Sequence, residues 1–304
     1  MKTKTTVLDH GFVRLVSCMQ PVPESIATHD AVAHTTNGYL KADHGDWSGD
    51  LEVIRNARVS YDADWRVGED EKDAKLIAYL MKNRHTSPFE AMVFTFEVMA
   101  PIMVFRQWQR HRMWSYNELS ARYAPLPEIF YVPEVGQFGA QSASNKQMRS
   151  EAEMTDETKI REERWQYEQR QHMKAGFDLY RKHMEEGMPR ELARDSLPFS
   201  TYSRMFGTVD LHNLFHFIGL RSHSHAQHEI RVYSDAMLDL VEQICPHSVA
   251  AFRKFRLEQA PLAVATVPAP SSALVVPEPT VAGGVVGIMG KPNFHGDLGF
   301  LNKK

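Results

Sequence analysis

Residues 93–123 read VFTFEVMAPIMVFRQWQRHRMWSYNELSARY. The first six of them, 93–98, alternate and are rich in β-branched and aromatic side chains, which predicts a strand. Pro101 then begins a predicted helix that runs to Trp108. Residues 110–123 are predicted to form a loop where that helix ends, a position at which functional groups commonly lie. The stretch therefore predicts a strand, a helix and a functional loop in direct succession.

The second half of this stretch combines cations with flat rings. Its arginines and aromatic residues are Arg106, Arg110, Arg112, Arg122, Trp108, Trp114, Tyr116 and Tyr123. Few aliphatic residues explain this spacing as a core, so we expect a recognition surface and not a packing surface. A guanidinium fork suits phosphate and carbonyl oxygens, and aromatic rings stack on heterocycles. The mixture fits a ligand that is anionic at one end and flat at the other, as a nucleotide is.

Two other interpretations of the same residues remain open at this point. A cluster of charged residues is often a solvated loop held by salt bridges. Alternating cations and rings also occur in modules that bind single-stranded nucleic acid. The formal net charge of −3 and the presence of Glu118 count against nucleic acid, because that mode of binding needs a broadly basic surface. The arginines therefore indicate a local site.

The composition of the 304-residue chain, with 43% hydrophobic and 24% charged residues, is that of a soluble globular protein. It contains no run of about twenty apolar residues and no secretory signal pattern, so we expect a cytoplasmic protein. Cys18 and Cys245 are too few and too far apart for a disulfide framework or a zinc site, and we expect both to be reduced packing residues. His212 and His216 lie one helical turn apart, yet no set of Cys or carboxylates completes a ligand shell, so no metal is predicted.

The residues before the central stretch predict a strand, a surface insertion and helices. Residues 6–18 alternate as a strand does, with Gly11 as a kink or bulge. Residues 19–50 have no clear period and predict a long surface insertion. Two helices are predicted between 51 and 81, and Ser87-Pro88-Phe89-Glu90 is typical of a capping box that opens a short helix.

The residues after the central stretch predict mainly helices. Residues 136–153 are rich in Gly, Gln, Ser and Asn, and 155–186 predict a long solvated helix with Gly187 as its C-terminal cap. Asp210 is the predicted N-cap of a helix that ends near Arg221. A second amphipathic helix follows it.

The order of residues in the predicted loop resembles a family signature. Arg110-His111-Arg112 is followed by seven residues and then Ser120, with Asn117-Glu118 in between and Arg122-Tyr123 just beyond. This pattern resembles that of the flavin-dependent thymidylate synthases. Three further stretches are similar to the same family, namely 55–61, 85–90 and 189–230.

The resemblance implies an α+β fold in which a twisted, mostly antiparallel sheet is flanked by helices, in a single domain that forms a homotetramer with shared active sites. We expect this domain to span residues 1–258, with insertions near 19–50 and 136–165, and residues 259–304 to form a flexible tail rich in Pro, Ala and Val. The implied reaction is the reductive methylation of dUMP to dTMP. Methylenetetrahydrofolate is the implied one-carbon donor, and FAD, recharged by NADPH, is the implied reductant.

The resemblance also assigns roles to individual residues. The predicted dUMP-binding residues are Gln107, Trp108, Gln109, Arg110, Glu118, Leu119, Ser120, Ala121, Arg122, Arg194 and Arg221. The predicted FAD-binding residues are Ser60, Ser87, Glu90, Arg110, His111, Arg112, Asn117, Glu118, Asp210, Leu211, His212, His216 and His225. Arg221 is the predicted catalytic residue because it matches the arginine that polarises the uracil ring, and the alternative is that it caps the end of its own helix.

The chain departs from the family pattern at a few of these positions. Ala121 stands where glycine is common, which matters only if that residue needs a positive φ. Asp210, His212 and His216 stand where better-known members have Asn, Arg and Asn. These differences change the charge that the helix after Asp210 offers to FAD.

Overall fold

The computed structural model describes residues 2–19, 48–63, 67–68, 70–143, 148–150 and 153–258. They form an α+β structure in which helices flank a five-stranded antiparallel sheet, which confirms the predicted fold class. The strands of this sheet are β1 (Lys4–Val7), β2 (Gly11–Cys18), β3 (Val93–Pro101), β4 (Ser115–Glu118) and β7 (Tyr202–Asp210), in the spatial order β1-β2-β3-β7-β4. A separate small hairpin pairs β5 (Ala140–Gln141) with β6 (Arg149–Ser150).

The helices fall before, between and after these strands. In chain order they are α1 (Gly49–Arg58), α2 (Asp70–Lys82), α3 (Ser87–Glu90), α4 (Ile102–Trp108), α5 (Asp156–Glu185), α6 (Arg190–Ala193), α7 (Leu211–Arg221), α8 (His228–Glu242) and α9 (Pro246–Phe252). Short 3₁₀ turns at Val59–Tyr61 and Arg194–Ser196 extend α1 and α6. No helix among the described residues is long and apolar enough to cross a membrane.

The strand β3 is the middle of the sheet and pairs with both β2 and β7. Its side chains Phe94, Phe96 and Val98 are fully buried, as the alternation at 93–98 predicts. The strand ends at Pro101, which has no N–H to give to a ladder and instead stands at the N-cap of α4. The predicted succession of strand and helix is confirmed.

The strand β7 has no counterpart among the sequence predictions, although it lies between β3 and β4. Its inward side chains include Met205 and Val209, which are buried. Gly207 faces the indole of Trp114 so closely that a Cβ at this position would lie 3.1 Å from the ring. Inward positions of β7 hold Ser203 and Gly207, and the outward position 206 holds Phe, so the local pattern does not indicate a strand.

Three local predictions differ from the structure. Residues 6–18 form the hairpin of β1 and β2, because Leu8 adopts a positive φ of 53° in the turn and Val7 pairs with Gly11. Part of the predicted loop 110–123 is the strand β4, which obtains its partner from β7. The capping box at Ser87 does not form, since Thr86 stands at the N-cap of α3 and gives no side-chain hydrogen bond.

The long helix α5 confirms its prediction at both ends. The hydroxyl of Thr155 accepts a hydrogen bond from the backbone N–H of Thr158 at 3.2 Å, which caps the first turn. Gly187 follows the last turn with a φ of 88°, the left-handed conformation that favours glycine there. Residues 20–47 and 259–304 lie outside the described residues, and the two insertions, the tail and the domain boundary stay predictions.

We predict that Gly11→Ala destabilises the protein by about 1–3 kcal/mol, the usual cost of overpacking a core. A Cβ at Gly11 would overlap the Tyr233 hydroxyl and lie 2.8 Å from the Val7 carbonyl oxygen. Chemical denaturation measures the change. Gly219→Ala is the matched control, because its Cβ would lie 3.8 Å from Phe252 inside α7, where alanine is favoured over glycine. Equal stability of the two variants would contradict the prediction.

Candidate active site

The aromatic side chains of the central stretch form part of the core. Trp108 is fully buried and Trp114 is 6% exposed. Trp108 stacks on Phe217 of α7 with ring centroids 4.7 Å apart, and Trp114 meets Trp108 edge-on at 5.7 Å. The predicted recognition surface is therefore wrong for these two residues, because tryptophan next to an apolar helix face gains more from burial than from exposure. The Trp108 side chain packs in the core, and its assignment to dUMP stays a prediction.

A pocket of about 480 Å³ opens beside β4 and the end of α4. Its lining residues are Ile102, Arg106, Glu118, Leu119, Ser120, Ala121, Leu126, Arg194, Asp195, Leu197 and Ser203. Five of the eleven residues predicted for dUMP, namely Glu118 to Ala121 and Arg194, are thus brought together from separate parts of the chain. The Leu119 N–H donates to the Arg204 carbonyl at 2.8 Å, which fixes the path of the chain as it leaves β4.

The arginines near this pocket are held by backbone oxygens and carboxylates. Arg194 Nε donates to the Glu191 carbonyl at 3.2 Å, and Arg122 lies 3.6 Å from the Glu191 carboxylate, outside the lining. Arg190, which has no predicted role, donates to the Tyr123 carbonyl at 2.9 Å. The site therefore has several exposed guanidinium groups, a donor set that suits a phosphate.

Arg221 at the end of α7 reaches across to the end of α4. Its Nε donates to His111 Nε2 at 3.0 Å, and its Nη2 donates to the Gln107 carbonyl at 3.0 Å. The helix end itself is closed by the Ser222 N–H, which donates to the Ile218 carbonyl at 2.8 Å. These bonds of Arg221 thus go to other elements, which counts against the alternative that it only caps its own helix.

His111 is neutral in this arrangement. Its burial, together with the guanidinium of Arg221 and the ring of His216, lowers the pKa of His111 to about 4. Its Nε2 must then be an acceptor for the Arg221 N–H. The Tyr116 hydroxyl shares its one proton between the His111 carbonyl at 2.8 Å and the Trp108 carbonyl at 3.1 Å, which holds the backbone of the turn. The side chain of His111 is 8% exposed, so it offers little surface to a ligand in this chain.

The other residues predicted for FAD differ in exposure. Ser60, Ser87, Glu90, Arg112, Asn117, His216 and His225 are exposed. Leu211 is fully buried, and its N–H donates to the Met92 carbonyl at 2.8 Å. Asp210 accepts from the Asn213 N–H at 2.9 Å and from Asn213 Nδ2 at 2.7 Å, so the predicted N-cap is confirmed. His212 is half-buried, and the described residues contain no group of three or more His, Cys, Asp or Glu that could hold a metal.

Sequence reasoning gave no role to Gln227, the N-cap residue of α8. Its side-chain oxygen accepts from Gln107 Nε2 at 2.7 Å. It also lines a second pocket, of about 600 Å³, whose other lining residues lie within 136–141, 148–150 and 224–231. The family resemblance spans Gln227, but no local spacing indicates that it meets the end of α4. Gln109 joins the end of α4 to the end of β4, because its Nε2 donates to the Glu118 carboxylate at 3.3 Å.

The fold and these contacts define a class of protein. It is an α+β protein with a pocket that contains two arginines beside the short helix α4, and Arg221 from the end of α7 is hydrogen-bonded next to the end of that helix; the exposed guanidinium groups suit an anionic ligand.

Comparison with known proteins identifies the family. Residues 46–247 match the family described as thymidylate synthase complementing protein. A flavin-dependent thymidylate synthase from Treponema pallidum is 39% identical over 247 residues, which cover 81% of this chain and 70% of the relative. A protein of the same name from Thermus thermophilus is 41% identical over 258 residues, which cover 84% of this chain and 80% of the relative. The chain belongs to the flavin-dependent thymidylate synthase family.

A solved structure agrees with this assignment. The crystal structure of the UMP/dUMP methylase PolB from Streptomyces cacaoi, bound with 5-Br dUMP, is similar to this chain with a TM-score of 0.65 and 30% sequence identity. The similarity covers 83% of this chain and 98% of that chain.

We predict that His111→Gln reduces the dependence of stability on pH between about 6.5 and about 4. In this window the unfolded chain takes up a proton at His111, at an ordinary pKa near 6.5, which the folded chain does not take up until its pKa of about 4. The free energy of unfolding therefore falls as the pH drops, by at most about 1.4 kcal/mol per pH unit for one group. Urea denaturation across this range measures the slope. His172→Gln, an exposed change on α5, is the control, and an unchanged slope in His111→Gln would refute the prediction.

Proposed function

We propose that this protein converts dUMP to dTMP by reductive methylation, with methylenetetrahydrofolate as the one-carbon donor and FAD and NADPH as the reductant. The observation that carries this proposal is the pocket that gathers Glu118, Leu119, Ser120 and Ala121 with Arg194. Glu118 to Ala121 are consecutive and Arg194 is distant in sequence, and all five are among the residues that the family pattern assigns to dUMP. The names of the relatives and of the dUMP methylase agree with this substrate. The alternative of a single-stranded nucleic-acid binding module is not supported.

The proposed phosphate end of the pocket is formed by arginines and by the chain after β4. Arg194 and Arg106 line it from opposite elements, and Arg122 lies just outside. Ser120 and Ala121 follow the strand end, where backbone N–H groups can meet an anion. Gln107, Gln109 and Arg110 continue from the end of α4 and are the proposed contacts with the rest of the nucleotide. Trp108 supports them from the core.

Arg221 is the proposed catalytic residue. The reaction requires C5 of the uracil ring to become electron-rich, and neither cysteine is suited to attack the ring. Burial raises the pKa of the Cys18 thiol, and it raises that of the fully buried Cys245 thiol further. A thiol in such surroundings is inert. A guanidinium beside a uracil carbonyl instead stabilises negative charge that develops on the ring. The two hydrogen bonds to His111 and Gln107 orient Arg221 in advance, so little reorganisation is needed.

The exposed members of the predicted set fit FAD. Arg110 and Arg112 are exposed at the turn after α4 and can neutralise a pyrophosphate. Asn117, His216, His225, Ser60, Ser87, Glu90 and the half-buried His212 and Glu118 supply further polar groups. When bound and reduced by NADPH, the flavin would supply the hydride for the reaction. We assign His111, Leu211 and Asp210 supporting roles, because their side chains are already buried or occupied by other partners.

A homotetramer and a cytoplasmic location are part of this proposal. Several apolar side chains close to the site are exposed in the single chain, among them Met113 at 70% and Leu220 at 53%. A second subunit would cover such surface and complete sites whose residues are spread over the molecule. Both cysteines are free, as is usual in a reducing compartment.

We predict that Arg112→Ala weakens FAD binding by roughly ten-fold or more, because a hydrogen bond to a charged group contributes about 1.5–3 kcal/mol. Flavin absorbance per mole of purified protein and titration of the apoprotein with FAD measure the effect. Arg164→Ala on the exposed face of α5 removes the same charge at a distance and is the control. Full retention of FAD by Arg112→Ala would remove this residue from the flavin site.

We predict that Arg221→Lys lowers turnover by roughly ten-fold or more, as for the loss of one transition-state donor. Lysine keeps the positive charge but loses the planar fork that donates to His111 and Gln107 together. Formation of dTMP is measured on flavin-loaded protein, with melting temperature recorded on the same sample. Arg164→Lys is the control. Normal turnover with only a lowered melting temperature would show that Arg221 is structural.

A further inference from the structure

The second pocket, of about 600 Å³, has no role in the proposed function so far. One wall is the segment around the β5–β6 hairpin and the other is the chain that leads into α8. It is accessible from outside and is larger than the pocket that holds the predicted dUMP residues.

The lining of this pocket combines two guanidinium groups with several side-chain amides. Arg149 approaches from the hairpin and Arg231 from the first turn of α8. Arg149 is paired with Glu229 at 3.0 Å, whereas Arg231 Nη1 donates to the Ser224 carbonyl at 3.4 Å and forms no ion pair with any described residue. Gln137, Gln141 and Gln227 add side-chain amides, a group that both donates and accepts, and each of them also makes a hydrogen bond within the protein. The pocket therefore suits an anionic chain that also carries amide groups.

The hairpin wall is held firmly in place. The carboxylate of Glu229 is 1% exposed and accepts from Arg149 and, at 3.2 Å, from the Tyr131 hydroxyl. The fully buried Glu162 of α5 accepts from the Gly136 N–H at 2.6 Å and from the Gly139 N–H at 3.3 Å. Buried carboxylates with several donors are costly to separate from their partners. These contacts hold Arg149, Gly136 and Gly139 in place without a ligand, which lowers the entropic cost of binding at these residues.

The pocket is also connected to the residues of the proposed reaction. Gln227 in its lining accepts a hydrogen bond from Gln107 at 2.7 Å, and the Gln107 carbonyl accepts from Arg221 at 3.0 Å. His225, a predicted flavin contact, lines the same pocket. A ligand whose reactive end meets the nucleotide can therefore extend its other end into this space.

We propose that this pocket binds the glutamate tail of methylenetetrahydrofolate. The proposal rests on the function proposed above. That tail is a chain of carboxylates joined by amide bonds, so the guanidinium groups match its carboxylates and the glutamine side chains match its amides. NADPH also carries an anionic group, its single 2′-phosphate, but a phosphate only accepts hydrogen bonds and would use the N–H groups of these side chains and not their carbonyl oxygens. Arg231 is the proposed specificity-determining residue for tail length.

The experiment compares methylenetetrahydrofolate that carries one glutamate with the form that carries several. For the unaltered protein we expect the KM to be roughly ten-fold lower for the longer tail, since a hydrogen bond to a charged group is worth about that factor. Arg231→Gln is expected to abolish this advantage. Gln137→Glu is also expected to abolish it, because it adds a repelling charge while keeping the oxygen that accepts from the Glu134 N–H. Arg164→Gln on α5 is the control, and it should keep the full advantage.

Equal KM values for the two folates in the unaltered protein would overturn the proposal. A KM for NADPH that rises in Arg231→Gln, while that for NADH stays the same, would assign the pocket to the phosphate and would overturn it too. Calorimetric binding of both folates to the purified full chain gives the same comparison without turnover. Absence of dTMP formation together with tail-dependent binding would refute the proposed function and retain the pocket. Formation of dTMP together with binding that does not depend on the tail would support the proposed function and refute the proposal for this pocket.

Discussion

The stacking of Trp108 on Phe217 determines where the functional groups lie. Both side chains are fully buried, and the rings are 4.7 Å apart with an angle of 27° between their planes. An offset stack of this kind adds about 0.5–1.5 kcal/mol to the gain from burial. It joins the last turn of α4 to the middle of α7, and as a result Gln107 and Arg221 come within hydrogen-bond distance. The geometry of the proposed site is therefore set by a contact in the core.

Elements that depend on local information are predicted well from the sequence. The strand at 93–98, the helix after Pro101, the long helix with Gly187 at its end and the cap at Asp210 all follow from alternation, periodicity or capping chemistry. Elements that depend on a partner distant in sequence are not predicted from the sequence. The strand β4 is formed from residues without a strand-like pattern, and it exists because β7, almost ninety residues later in the sequence, supplies its hydrogen bonds.

The same distinction applies to the site. The residues from Glu118 to Ala121 and Arg194 were recognised by the family pattern, and the structure brings them to one pocket. Trp108 was assigned to a ligand because an aromatic ring between arginines suits both a stacking surface and a core. Only the position of Phe217 shows that this ring belongs to the core and not to a stacking surface for a ligand. The neutral state of His111 likewise depends first on its burial and then on Arg221, more than a hundred residues away, so its role as an acceptor could not be read from the Arg-His-Arg motif.

Gly207 has no functional group, yet it determines how closely Trp114 and Tyr116 pack against β7. Because its side chain is a single hydrogen atom, the indole of Trp114 can lie directly on β7, and Tyr116 stacks on that indole at 6.1 Å. The Tyr116 hydroxyl then holds the carbonyl groups of Trp108 and His111. A bulkier residue at position 207 would lift this whole layer away from the sheet. The alignment of the proposed reactive groups thus depends on the missing side chain at Gly207, a residue that takes no part in the chemistry.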